Sequence, residues 1–421
     1  MNKEIIKLVK SKKYYEDLYE IPWTLEEGKQ LNKKDKIRIA LINVPCGGFG
    51  DIIACQTLYE YLINWYPQHE VLICTTAINK FKTIGINTKK MIEISVRGVE
   101  ECEPHNKLYF KKNPKKFDIM ICIPLIDLQF SINKFKKFIP YANVFNTFTF
   151  SEYNGVSPPY TFPIGVGPGQ LGIFLTKPTI KPHGLIKKPY ALVYIADRSN
   201  PAGIHCRLCF LSYMEMICKK YYKVHPFFQA VVPPWIVELL TESNNFKYKF
   251  KEVIDKYYPN VWIVNSEGKD TFLQGNGNSL IIRGDILPKP RSVFISLIKG
   301  SIDDVLLTGD QSITDGLSCC SAKKNIWYQI APWKQGLALE LSKAIPDSSI
   351  ENFRTSCGTL RGIRKNKDYT DLLKKYDFRI LGKRRMDAIL NFHYKKDDYK
   401  EFMDIVLHSR GVSSVIKKLQ K

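Results

Sequence analysis

Apolar and polar positions alternate along this chain in a way that sorts it into strands and helices taken in turn. Residues Lys36 to Asn43 (KIRIALIN) form a β-branched apolar run that ends in a glycine-rich turn, which predicts a buried strand. Asp51 to Tyr66 then carries its apolar residues at helical spacing, and Pro67 predicts the end of that helix. Further apolar runs predict strands at Glu70 to Thr75, Met91 to Val96 and Phe117 to Leu125. Strand, helix, strand in this order predicts an α/β fold with a parallel, doubly wound sheet.

From Ser157 the composition shifts to proline and glycine, most densely at Gly165 to Gly172, as expected of an inter-domain region. A second alternation follows. It predicts strands at Tyr190 to Ala196, Val261 to Val264, Ser279 to Arg283, Asp304 to Thr308 and Asn325 to Ile330. Helices are expected at Phe210 to Tyr222, Pro234 to Thr241, Phe250 to Tyr258, Ser292 to Ile298 and from about Ser312. The lysine-rich end, from about Asp368, reads as amphipathic helices. The expected organisation is two Rossmann-like domains, residues 1–175 and 176–365, facing across a cleft, with a basic helical extension at 366–421.

Composition narrows the classes. With 421 residues, 44% of them apolar and 25% charged, the chain can bury two full cores, and a largely disordered protein is excluded. The formal net charge of +22 points to an anionic partner: nucleic acid, an acidic membrane surface, or a phosphate-bearing small molecule. The 11 cysteines are odd in number and scattered through predicted elements, which does not describe a disulfide framework. The longest uncharged apolar stretch, Ile119 to Ile126, is too short to span a bilayer, and the N-terminus has no signal-peptide core. The expectation is a soluble, cytoplasmic protein of a reducing compartment, with peripheral contact to a membrane surface left open.

Candidate chemistry gathers at two turns. In the first, Pro45-Cys46-Gly47-Gly48-Phe49-Gly50 joins the first strand to the helix that starts at Asp51, so glycines and free helix N–H groups share one crevice. Asp51 is there either as a helix cap or as a general base. The turn lacks the third glycine of GxGxxG, no ribose-binding acid follows Cys74-Thr75-Thr76, and no Walker loop occurs. In the second turn, Thr308-Gly309 is followed by Asp310, Gln311 and Ser312 at the next helix N-terminus, where they serve an anionic ligand or only cap the helix.

Other clusters offer less. His205, Cys206 and Cys209 include a lone CxxC, but no second pair lies at zinc spacing, and Cys102 and His105 would reach it only through folding. Cys319-Cys320 on a predicted helix reads as core packing, and the alternating stretch Asn143 to Tyr153 as a strand. No metal site is expected.

The segment Gly48-Phe49-Gly50-Asp51-Ile52, with Leu58, Leu62, Tyr66-Pro67 and Glu70-Val71 after it, resembles the opening of GT-B glycosyltransferases, especially heptosyltransferases and the elongation-factor-P arginine rhamnosyltransferase. The resemblance implies that Asp51 is the catalytic carboxylate, with Gly48, Phe49 and Gly50 among the donor-binding residues. Ala196-Asp197-Arg198 through Arg207 and Phe210 is similar to the start of the heptosyltransferase donor domain, implying that Arg198 or Arg207 reaches donor phosphates. Gly309-Asp310-Gln311-Ser312, with Lys324 to Gln329 and Trp333, resembles the rhamnosyltransferase loop that holds the nucleotide diphosphate. Two departures stand out. Pro45, Cys46 and Gly47 occupy the place of a second acid, and Gln311 replaces an acid in the diphosphate loop.

The resemblance implies an inverting, metal-independent glycosyltransferase that needs no cofactor and uses a nucleotide-diphosphate sugar as co-substrate. The acceptor would be a glycan, a lipid-linked molecule or a protein. The competing expectations are a non-catalytic protein on a degenerate GT-B fold that holds nucleic acid, and a nucleotide-sugar epimerase or hydrolase.

Overall fold

The computed structural model describes residues 36–45, 49–97, 107–123, 147–151, 153–155, 161–175, 184–187, 189–195, 202–319, 324–328, 335–344, 350–364 and 374–391. The chain is mixed α/β with parallel sheets and divides into two compact units. One comprises Met1–Phe174 with Tyr376–Lys421, and the other Leu175–Lys375.

In the first unit, β1 (Arg38–Asn43) is buried along nearly its whole length, as its unbroken apolar run requires of a central parallel strand. It pairs in parallel with β2 (Glu70–Thr75) on one side and with β5 (Ile119–Cys122) on the other. With β3 (Ile92–Arg97), β4 (Lys107–Phe110), β6 (Thr147–Phe150) and β7 (Thr161–Phe162), the sheet order is β4-β3-β2-β1-β5-β6-β7. Among the described strands of this sheet only the edge strand β4 runs antiparallel. The strand order reverses between β1 and β5, and in open α/β sheets that switch point is where ligands bind.

Helix α1 (Gly50–Trp65) connects β1 to β2 and buries Ile52, Ile53, Cys55, Leu58 and Leu62, the positions its helical spacing marks. A short α2 (Ile78–Thr83) follows β2. The polar amino edge of the sheet is tied by Arg38, whose Nε donates to Glu70 at 2.7 Å and whose backbone N–H donates to Asp118 at 2.9 Å.

The C-terminal part of this unit returns to the same core. Ile173 pairs with Asp377, and the ring of Phe378 packs edge-on to Phe174 at 4.7 Å and against Tyr61 and Trp65 of α1. Gly172 sits at φ +89° where an added Cβ would lie 2.4 Å from the Tyr376 carbonyl, so only glycine allows this approach. The described C-terminal helix, here α9 (Phe378–Asn391), is fastened by Tyr66, whose hydroxyl donates to Asp387 at 2.6 Å. The sequence expected a separate extension from residue 366; residues 374–391 are described, and α9 packs on the first unit through apolar partners too distant along the chain for periodicity to reveal. Residues 392–421 lie outside the described set.

In the second unit, β8 (Tyr190–Leu192), β9 (Phe227–Val231), β12 (Ser279–Arg283) and β10 (Asn260–Val264) pair in parallel, with β11 (Lys269–Leu273) antiparallel at the edge. A parallel bridge from Val193 to Leu306 carries the sheet on into β13 (Asp304–Leu307) and β14 (Asn325–Tyr328). It ends in the antiparallel pair β16 (Gly358–Arg364) and β15 (Ile350–Thr355). The strand order reverses between β8 and β13.

Helices α3 (Ala202–Tyr221), α4 (Pro234–Glu242) and α5 (Asn244–Ile254) share one core with these strands, including Phe210, Met214, Ile217, Leu240, Phe250 and Ile282. Three more helices complete the described set: α6 (Arg291–Gly300), α7 (Asp310–Cys319) and α8 (Gln335–Ala344). α5 starts earlier than the pattern suggested because Ser243 caps it, accepting from the Phe246 N–H at 3.4 Å. The parallel expectation misses the short β4, β11 and the β15–β16 hairpin, of which β11, β15 and β16 have polar, interrupted sequences with little apolar alternation.

Candidate functional site

The two turns singled out in the sequence each lie at the strand-order reversal of their own sheet, at the carboxyl ends of the strands. In the first unit the turn leaves β1 after Asn43 and enters α1. Phe49 is the N-cap, with φ −89° and ψ −4°, and makes no side-chain capping bond. Asp51 therefore stands one residue inside the helix, partly buried in its first turn, and is not the capping residue. A carboxylate there still meets the favourable end of the helix dipole. Phe49 and Gly50 adjoin it, whereas Gly48 lies outside the described residues.

Beneath this turn is a polar network that the sequence analysis missed. Asn43, fully buried at the end of β1, donates from Nδ2 to the backbone carbonyls of Asp51 at 3.2 Å and Ile123 at 2.9 Å. Its Oδ1 accepts from the Thr75 hydroxyl at 3.1 Å, and that hydroxyl accepts from the Ala77 N–H at 3.1 Å. The ends of β1, β2 and β5 are thereby joined to the first turn of α1. The only hint in the sequence is an amide closing an otherwise apolar strand.

In the second unit, β13 is wholly buried and ends at Thr308. Gly309 then adopts φ +83°, a left-handed conformation that favours glycine and turns the chain into α7. Ser312 donates its hydroxyl to the Thr308 carbonyl and to that of Gly309 at 3.0 Å. Gln311 is buried and donates from Nε2 to Asp315 at 3.0 Å, and Asp315 is gripped from α6 by Arg291 at 2.8 Å and 3.3 Å. The side chains of Gln311 and Ser312 thus close the turn, and the first-turn amides of α7 are the groups it can offer an anion. Farther along α7, Gly316 allows close packing, because a Cβ there would lie 2.7 Å from the Leu307 side chain. Asp310 opens α7, but its side chain is outside the described set.

The remaining candidates separate. Arg207 is exposed in the second turn of α3, beside the buried Cys206, while Arg198 lies outside the described residues. Lys324, grouped with the diphosphate loop by resemblance, instead precedes β14 at the opposite, amino edge of the sheet. There it donates to the carbonyls of Ser301 and, at 2.7 Å, Ile302 just after α6, satisfying backbone groups at a helix end. Cys206 and Cys209 are buried in α3, and burial together with Cys206 pushes the Cys209 thiol up to about 12. Among the described residues no group of three His, Cys, Asp or Glu is arranged to hold a metal ion, and no helix is long and apolar enough to cross a membrane. Cys102, His105 and Cys320 fall outside the described set.

The amino edge of the second unit's sheet contains its most heavily bonded carboxylate. Asp304 is 1% exposed and accepts from Lys220 and Tyr221, both at 2.7 Å, from Trp327 at 2.9 Å and from Asn325 at 3.1 Å. Burial alone would raise its pKa. The hydrogen bonds from Lys220, Trp327 and Tyr221, with the Lys220 charge, outweigh burial and lower it below the ordinary carboxylate value. This is an anchor for α3 against β13 and β14 at the amino edge of the sheet.

No family model matches this sequence, and no curated protein matches it. Similar solved structures include glycosyltransferases. The glycosyl transferase family 9 structure from Veillonella parvula aligns with a TM-score of 0.34 at 11% identity, over 67% of this chain and 78% of that one. The N-terminal domain of Candida albicans trehalose-6-phosphate phosphatase gives 0.36 at 8%, over 86% and 97%. Trehalose-6-phosphate synthase OtsA gives 0.31 at 10%, over 79% and 74%. At these scores the similarities assign neither a family nor an activity.

Proposed function

We propose that the protein is a glycosyltransferase that moves a sugar from a nucleotide-diphosphate donor to a nucleophilic acceptor. One observation carries the reading: each unit has a parallel sheet whose strand-order reversal coincides with the turn that the sequence independently marks as a candidate site. In the second unit the amides at the start of α7 hold the donor diphosphate, aided by Arg198 or Arg207. Asp310 meets a ribose or sugar hydroxyl, since a carboxylate would repel phosphate. In the first unit Asp51 is the general base, beside Gly48, Phe49 and Gly50.

The step balances without a further reactant. The acceptor O–H or N–H gives its proton to the Asp51 carboxylate, and the acceptor atom bonds to the anomeric carbon. The bond from that carbon to the diphosphate oxygen breaks, and the nucleoside diphosphate leaves with the electron pair, stabilised by the helix N-terminus. Attack opposite the leaving group inverts the anomeric centre.

The test is release of nucleoside diphosphate from UDP-, GDP-, dTDP- and ADP-sugars with and without a hydroxyl-rich acceptor mixture. Acceptor-dependent release that Asp51→Asn lowers by about 100-fold or more supports the reading. Release unaffected by acceptor would point to a hydrolase or epimerase, and no release from any donor would remove the transferase.

A further inference from the structure

We infer that Asn43 is the positioning residue that sets the catalytic turn of the first unit. The inference rests on the reading of Asp51 as general base. Catalysis by a carboxylate in the first turn of a helix depends on where that turn sits relative to the sheet. A displacement of about 1 Å is enough to cost about 100-fold in rate. α1 gets no fixing bond from its N-cap, because that residue is Phe49, whose side chain makes no capping hydrogen bond.

Asn43 supplies the missing constraint from below. Its two amide protons reach two different chain segments, the Asp51 carbonyl at 3.2 Å and the Ile123 carbonyl at 2.9 Å, so the turn is fixed to the end of β5. Its amide oxygen is in turn held by Thr75, which is itself oriented by the Ala77 N–H. The direction of the network is settled by its ends. Two carbonyl oxygens can only accept, which requires Nδ2 on their side, and the backbone N–H of Ala77 can only donate, which makes Thr75 the donor to Oδ1. Asn43 and Thr75 are both fully buried, so water does not compete for these bonds. An aspartate at 43 would have the same shape but would set an oxygen against two carbonyl oxygens. A leucine would fill the volume and leave both carbonyls without this donor.

The experiment compares wild type, Asn43→Asp, Thr75→Val and Thr75→Ser. Two readouts are used: nucleoside diphosphate release from the UDP-, GDP-, dTDP- and ADP-sugar panel, and amide hydrogen exchange of the protein alone. Asn43→Asp should lower kcat by about 100-fold with KM for the donor within about twofold, since the donor diphosphate is assigned to the amides at the start of α7. Thr75→Val should fall between wild type and Asn43→Asp, and Thr75→Ser should restore wild-type kcat. Exchange should accelerate at Asp51 to Cys55 in the first two variants and not in Thr75→Ser. A variant that melts earlier yet keeps wild-type kcat, or unchanged exchange at the start of α1 in Asn43→Asp, would overturn the positioning role. If the wild type releases no diphosphate from any donor, the transferase reading fails by itself. The exchange data alone then decide whether Asn43 holds the turn.

Discussion

The two edges of the second unit's sheet are built on opposite terms. At the amino edge, Asp304 gathers four side-chain donors from α3, β14 and its neighbourhood, and Lys324 satisfies the carbonyls that follow α6. These bonds join elements far apart in sequence. At the carboxyl edge, Ser312, Gly309 and Thr308 bond within one turn, Arg291 grips Asp315 from α6, and Trp235 donates from Nε1 to the Ile195 carbonyl at 3.3 Å. The contrast lies in what each edge leaves open: the amino edge closes on a buried carboxylate, while the carboxyl edge keeps a preformed turn with helix amides at its mouth. The first unit differs, since both of its edges are cross-linked: Arg38 joins Glu70 and Asp118 at the amino edge, and Asn43 joins Ile123 and Thr75 at the other.

Mutations at the two edges should therefore act differently, and the largest effect belongs to the amino edge. Asp304→Ala strands the donors of Trp327, Tyr221 and Lys220 and should cost about 3–5 kcal/mol in urea unfolding. Equal loss from a carboxyl-edge substitution would erase the distinction. The same carboxylate sets an acid dependence. Its folded pKa lies below its unfolded value, so its contribution is complete above the unfolded pKa and is lost as pH falls through the folded one. Stability should thus decline below about pH 4, and Asp304→Asn should flatten that decline in a pH series of unfolding midpoints.

Gly309→Ala comes next, at about 1–2 kcal/mol, because φ +83° is strained for any residue with a Cβ. Unlike Asp304→Ala it should also weaken nucleotide binding, as read by calorimetric titration with nucleoside diphosphates. Ser312→Ala should be the mildest, at about 0.5–1 kcal/mol, since it removes only a local hydroxyl bond to backbone. Its nucleotide affinity should stay near wild type, because the hydroxyl proton is already directed inward. A large affinity loss there would mean that the side chain, and not the amides, meets the ligand.

Much of the scaffold was legible in the sequence. KIRIALIN, EVLICT and SLIIR emerge as β1, β2 and β12 because strands inside a parallel sheet leave none of their residues exposed and so show a largely apolar run. The helix after the first turn was readable from its spacing and from Pro67. Edge strands such as β11, with exposed Lys269 and Asp270, bury too little to leave that signature. The candidate turns were visible through glycines and helix starts, yet their supports were not. Asn43 and Thr75 are 32 residues apart, and Arg291 and Asp315 are 24 apart, distances at which single-sequence periodicity carries no information. Nor could the sequence say that Gln311 and Ser312 turn inward, since that depends on where α7 meets Thr308 and Asp315.

The most direct test of the transferase account is a thermal-shift screen of the purified protein against UDP, GDP, dTDP, ADP and CMP, with wild type, Gly309→Ala and Asp51→Asn in parallel. The account predicts a rise in melting temperature with one nucleoside diphosphate. Gly309→Ala should lose that rise, whereas Asp51→Asn should retain it because its carboxylate acts on the acceptor. No shift with any nucleotide, alongside tight, salt-sensitive binding of a random oligonucleotide, would contradict it and make the basic surface of this protein its working part.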